Sequence, residues 1–138
     1  MEFYHGTNAD SASKIIGPPV KIDVTKGGGE LGRGFYLGNE PSLAAALAKG
    51  KNRRNPRVLQ FTIDTAEYLR LDIRTIHKKG TLIKDWSKRR SEKTTHSHLY
   101  RADVVVAPFA TIDIGHQYKF ESIVAGNLLN KSNIKTVL

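Results

Sequence analysis

The chain is 138 residues long, the size of one domain, and buries about two thirds of its unfolded surface on folding without needing covalent staples. Its 39% apolar, 8% aromatic and 25% charged residues exclude a disordered chain, and the absence of cysteine excludes a disulfide framework, a thiolate zinc site and a cysteine nucleophile. Lys and Arg number 22 against 13 Asp and Glu, for a net charge of +9, with 15 against 5 between residues 49 and 101. Such a field favours a polyanionic partner (nucleic acid, a dinucleotide or an acidic protein), or else it is a solvated basic face.

Taken in chain order, Phe3 and Tyr4 open as a short strand from which His5-Gly6-Thr7-Asn8 turns away. Residues 9–16 read as a helix with Asn8 or Asp10 as N-cap and Ala12, Ile15 and Ile16 as its apolar side. Gly17-Pro18-Pro19 stops it. Val20, Ile22 and Val24 alternate with Lys21 and Asp23, the period of a half-buried strand. Residues 27–34 hold five glycines in eight positions and form a loop that runs into the strand Phe35-Tyr36-Leu37. Pro41 opens a helix over 42–49, and the basic stretch 49–57 is a linker.

Residues 58–63 predict a strand, 66–76 read equally as strand or helix, and 81–90 predict a basic helix with Leu82, Ile83 and Trp86 as its stripe. The polar segment 91–98 is expected to be mobile. Residues 102–108, with Val104-Val105-Val106, form a buried strand. Residues 117–120 form another strand, 122–129 a helix and 134–138 a closing strand. No internal repeat or second domain is visible, so residues 1–138 are expected to form one α+β unit. No apolar run reaches the ~20 residues of a membrane span, and the N-terminus lacks a signal-peptide pattern, so a cytoplasmic location without a membrane partner is expected. His96 and His98 stand two apart without a carboxylate cluster, so no metal site is expected.

Three separated motifs carry the chemistry: Tyr4-His5-Gly6-Thr7, Gly32-Arg33-Gly34-Phe35-Tyr36-Leu37 and His116-Gln117-Tyr118-Lys119-Phe120-Glu121. Singly, each is ordinary: a packing histidine, a flexible loop without the Walker lysine, a surface strand. Together they resemble the ADP-ribosyltransferase fold of the diphtheria-toxin and poly(ADP-ribose) polymerase type. That family is marked by a His, a Tyr and a third polar residue, usually Glu. With Asp103-Val104-Val105-Val106-Ala107-Pro108, the chain is similar to small bacterial toxin-like members of the fold.

The resemblance implies a compact domain with a split, mainly antiparallel β core and short flanking helices. It implies NAD⁺ as co-substrate, broken between nicotinamide and ribose through an oxocarbenium-like transition state. By that analogy His5 holds the adenosine ribose hydroxyl, Gly6 and Thr7 hold the nicotinamide amide, and Tyr36 stacks on the nicotinamide ring with Phe35 beside it. Gly32 and Gly34 let the backbone pass close to the dinucleotide, and Arg33 reaches the pyrophosphate.

The third position departs from the pattern. Gln117 matches it best, with Glu121 as the alternative, since Gln117, Lys119 and Glu121 share one strand face. The expected activity is mono-ADP-ribosylation of a protein or nucleic acid, as a toxin or effector with an acidic neutralising antitoxin. Arg53, Arg54, Lys88, Arg89 and Arg90 are the candidate target surface. Two rivals remain: an NAD⁺-dependent RNA 2′-phosphotransferase, against which Tyr36 argues, and an inactive basic nucleic-acid-binding module, which Gln117 favours.

Overall fold

A computed structural model describes residues 1–51 and 54–138. Residues 2–8 form strand β1 (Glu2–Asn8), followed by α1 (Ala9–Ile16), β2 (Phe35–Gly38), α2 (Pro41–Lys51), β3 (Pro56–Thr62) and α3 (Thr65–Leu69). Then come β4 (Ile73–Thr75), α4 (Lys79–Glu92), β5 (Val104–Pro108), β6 (His116–Phe120), α5 (Ile123–Asn130) and β7 (Asn133–Thr136). The local signals are read as expected at three helix starts. Asn8, Asp64 and Ser122 each accept a hydrogen bond from a first-turn backbone N–H.

The strands make one sheet in the order β4-β5-β6-β2-β1-β3-β7, so the protein is an α+β domain. Only β4 and β5 run parallel; the other pairings are antiparallel. Helices cover both faces. On one, Phe3, Leu37, Leu59, Phe61, Val104, Val106 and Phe120 pack against Ala12 of α1, Tyr68 of α3 and Ala125, Leu128 and Leu129 of α5. On the other, Val105 and Ala107 pack against Leu31, Leu82 and Trp86, while Ala44 and Ala48 of α2 pack on Val58. Among the described residues, no helix is long and apolar enough to cross a membrane.

The sheet is split between its two halves. β1 pairs with β3 along its whole length, from Glu2↔Thr62 to Asn8↔Pro56. Against β2 it makes a single pair, Tyr4↔Gly38. Continuing that register would set Gly6 opposite Tyr36 and Thr7 opposite Phe35, but the ladder opens instead.

Several elements differ from the sequence expectation. β1 does not turn away at His5 but runs on to Asn8, because β3 pairs every residue as far as Pro56. Residues 20–24 are not a strand: Ile22 and Val24 are buried, yet the Ile22 N–H goes to the Asn130 side chain at 2.8 Å. The alternation there records burial without a neighbouring strand. Residues 66–76 are both a short helix and a strand, divided at Arg70.

The segment after α4 is tied down rather than mobile. The helix runs to Glu92 and ends on Lys93 in the left-handed region at φ 57°. The Thr95 and His98 carbonyls then accept from the N–H groups of Gly29 (3.2 Å) and Arg33 (3.0 Å). The glycine-rich loop and the 94–98 segment therefore pack on each other.

Candidate active site

The first two motifs meet at the split. His5 Nδ1 donates to the Tyr36 carbonyl at 2.8 Å, which bridges the two halves of the sheet where the backbone ladder has stopped. Its ring stacks on Phe35, with centroids 4.4 Å apart and planes at 25°. Since a carbonyl only accepts, this contact fixes the proton on Nδ1. Thr7 is buried at the same lip, 8% exposed. Beyond Tyr4, successive β1 residues turn N–H and C=O alternately toward β3 and toward the split. The split therefore has a backbone edge able to read an amide.

Glycine is required at Gly6 by the fold itself. A Cβ there would lie 2.4 Å from the Ala44 carbonyl oxygen, so α2 sits directly on the β1 backbone. Replacing Gly6 with Ala is expected to push α2 off the sheet and cost about 1–3 kcal/mol, measured as a lower urea midpoint. Gly32 (φ 86°) and Gly34 are likewise occupied by protein. Their added Cβ atoms would meet the His98 carbonyl oxygen at 2.3 Å and the Lys119 Cδ at 2.3 Å, so the room once assigned to the dinucleotide is filled by side chain and loop.

Tyr36 lies on the opposite sheet face from His5, alternating with Phe35 and Leu37. Its hydroxyl donates to the Gly32 carbonyl (2.6 Å) and accepts from the Leu31 N–H (2.9 Å), clamping the loop that precedes its own strand. Burial pushes the phenol far above its ordinary pKa, so it stays a neutral donor.

Gln117 shares that face, opposite Gly38 while Tyr36 is opposite Lys119. It is 4% exposed, and both its amide hydrogens are used, toward Glu30 Oε1 (2.9 Å) and the Pro108 carbonyl (3.1 Å). What Gln117 offers a ligand is its acceptor oxygen. Glu30, which the sequence reading passed over as a loop residue, places a carboxylate beside Gln117 and also accepts from the Ala110 N–H at 2.9 Å. The one signal for it was a lone acidic residue inside a glycine run.

Glu121 lies beyond the other end of β6. It accepts from the backbone N–H groups of Tyr100 (2.9 Å), Arg101 (2.7 Å) and Ala102 (3.4 Å) and pairs with Lys119. Burial would raise its pKa, but the Lys119 ammonium and these N–H groups outweigh that and hold it below the ordinary carboxylate value. Glu121 anchors the 100–102 backbone. His5, Tyr36 and Gln117 thus surround the β1–β2 split without contacting one another as a triad.

The candidate target surface divides. Arg54, Lys88 and Arg90 are exposed, Arg90 lying over the Trp86 ring at 4.1 Å. Arg53 lies outside the described residues. Arg89 is corrected from surface to interior: it is 6% exposed, because it follows Leu82 and Trp86 at helical spacing on the buried side of α4. Ile83, expected in that stripe, is 43% exposed.

No protein-family model and no curated protein matches the chain.

Proposed function

We propose that the protein is an NAD⁺-dependent mono-ADP-ribosyltransferase that binds its dinucleotide at the split between β1 and β2. The observation that carries this reading is the sheet opening after one pair, Tyr4↔Gly38, beside the His5-Gly6-Thr7 lip. An open strand edge recognises a carboxamide through backbone N–H and C=O groups, which is what nicotinamide presents. Tyr36 and Phe35 on the second lip supply aromatic surface for the ring. The motif resemblance of His5-Gly6-Thr7 and Gly32 to Leu37 supports the same assignment.

In the reaction the ribose–nicotinamide bond breaks, nicotinamide leaves with the bonding pair, and an acceptor nucleophile attacks the ribose carbon and loses its proton. Positive charge develops on the ribose ring in between. Gln117 accepts from a ribose hydroxyl, and Glu30 behind it supplies the negative charge that a glutamine at the third position lacks. Exposed Arg54, Lys88 and Arg90 draw in an anionic acceptor. A toxin or effector role, with an acidic antitoxin neutralising this basic chain, completes the proposal.

The test is incubation with labelled NAD⁺ in the presence of cell protein, RNA or DNA, scoring nicotinamide release and labelled macromolecule. Wild type is expected to release nicotinamide and label one pool. Glu30→Gln keeps the acceptor for the Ala110 N–H but removes the charge, and is expected to lower turnover about 100-fold. Release of no nicotinamide with any pool overturns the reading. A second reading, a non-catalytic basic module, is favoured by one observation: the Gln117 amide and the Tyr36 hydroxyl are both committed to protein partners. RNA or DNA binding without turnover would establish it.

A further inference from the structure

At the end of the sheet away from Gln117, cations crowd together with too few anions. Lys119 is fully buried and Arg89 is 6% exposed. Arg89 Nη2 donates to His98 Nε2 at 3.1 Å, and its carbon Cζ lies 4.6 Å from the Tyr100 ring centre. Lys119 Nζ is 5.3 Å from the same ring. Arg33 joins them through its backbone bond to the His98 carbonyl. Burial lowers the pKa of Lys119, partly opposed by Glu121, and the positive charges of Arg89 and Arg33 lower it further; these cations share one environment.

The only carboxylate inside the cluster among the described residues is Glu121, and Lys119 with the Tyr100, Arg101 and Ala102 N–H groups already occupies it. Neither guanidinium makes an ion pair among the described residues, with Asp85 of the same helix or with Asp72 and Asp103 nearby. Arg33 Nε and Arg89 Nε and Nη1 are buried without hydrogen-bond partners. A guanidinium cannot escape this by losing its proton. A buried, permanently charged group with unused donors is costly unless an anion meets it. A cleft of about 360 Å³ reaches the cluster from outside, lined by Arg33, Leu99, Arg101, Ala102 and Glu121.

We infer that Arg33 and Arg89, backed by Lys119 and His98, form a binding site for a phosphate oxyanion entering through this cleft. Planar guanidinium forks match phosphate oxygens two at a time, and both arginines here carry donors left unused by protein. The inference does not rest on the transferase reading: it follows from the charge count alone. The oxyanion is either free inorganic phosphate or the phosphoryl group of a nucleotide.

Titration calorimetry and thermal unfolding of the full chain with inorganic phosphate, pyrophosphate and ADP-ribose test it. At least one probe is expected to bind saturably and raise the melting temperature. Phosphate alone sufficing identifies a free-ion site; ADP-ribose alone identifies a nucleotide-borne group. Arg33→Gln and Arg89→Gln are each expected to weaken that binding about 10- to 100-fold, the loss typical of a charge-assisted hydrogen bond. The exposed pair Lys88→Gln and Arg90→Gln is expected to leave it unchanged. Should Arg89→Gln fail to fold, Arg33→Gln at the cleft decides. Absence of saturable binding by all three probes overturns the inference, as does binding that survives Arg33→Gln or falls equally in the exposed pair.

Discussion

Glu121→Ala is expected to destabilise the protein by about 3–5 kcal/mol, the usual cost of breaking a buried ion pair from one side. For a chain of this size that lowers the melting temperature by roughly 10 °C or more. The substitution leaves the Lys119 ammonium, fully buried, without its carboxylate, and the Tyr100 and Arg101 N–H groups without their acceptor. Lys119 limits the loss by giving up its proton, since burial already depresses its pKa. Adding Lys119→Met to Glu121→Ala is expected to recover part of the stability, because an apolar side chain replaces a stranded charge. A double variant no more stable than the single one would show that the backbone N–H groups, not the ion pair, carry the effect.

The same residue sets an acid sensitivity. The Glu121 carboxyl titrates lower in the folded chain than its ordinary value of 4.5. The stability it contributes is therefore complete above about 4.5 and is lost as pH falls through the lower, folded value. Wild-type stability is expected to drop with acid in that window, and the Glu121→Ala variant to show a shallower drop. Unfolding midpoints at neutral pH and at stepped acid pH measure both.

How much of this was legible in the sequence depended on the range of the interactions involved. The helix at Ala9–Ile16 was readable because its cap, Asn8 to Ser11 N–H, and its apolar side lie within one segment. The buried strand Val104–Pro108 was readable because a continuous apolar run needs two covered faces, which the helices supply. Residues 20–24 misled because alternation reports which side chains are buried, not whether a ladder exists. His5 was placed in a turn because its pairing with Leu59 is remote in the chain.

The site was legible as motifs but not as an arrangement. Glu30 reaches Gln117 across 87 residues of sequence, and no local pattern announces that. Lys119 was noted as sharing a face with Gln117 and Glu121, yet its complete burial depends on Gly34, whose missing Cβ leaves space for the lysine stem. Arg89 stands between Lys88 and Arg90 in a basic run, and only the helical phase separates the buried cation from its exposed neighbours. Charge counts treat such residues alike; periodicity applied to charged as well as apolar positions would have singled it out.

His5→Ala is expected to lower NAD⁺ turnover about 100-fold or more, the scale of a small misplacement of reacting groups. Two contacts vanish together: the Nδ1 hydrogen bond to the Tyr36 carbonyl and the stack on Phe35. They join the halves of the sheet just past the last backbone pair, Tyr4↔Gly38, so the lips of the split lose their register. The fold should survive, because β1 keeps its whole ladder with β3 and β2 keeps its ladder with β6. A loss of about 1 kcal/mol of stability is expected for the missing hydrogen bond. Steady-state nicotinamide release and thermal unfolding of the same preparation separate the two effects. Turnover that falls while the protein stays folded places the chemistry at the split. Turnover that persists in a folded His5→Ala variant would remove the split as the dinucleotide site and leave the strand opening as a feature of packing alone.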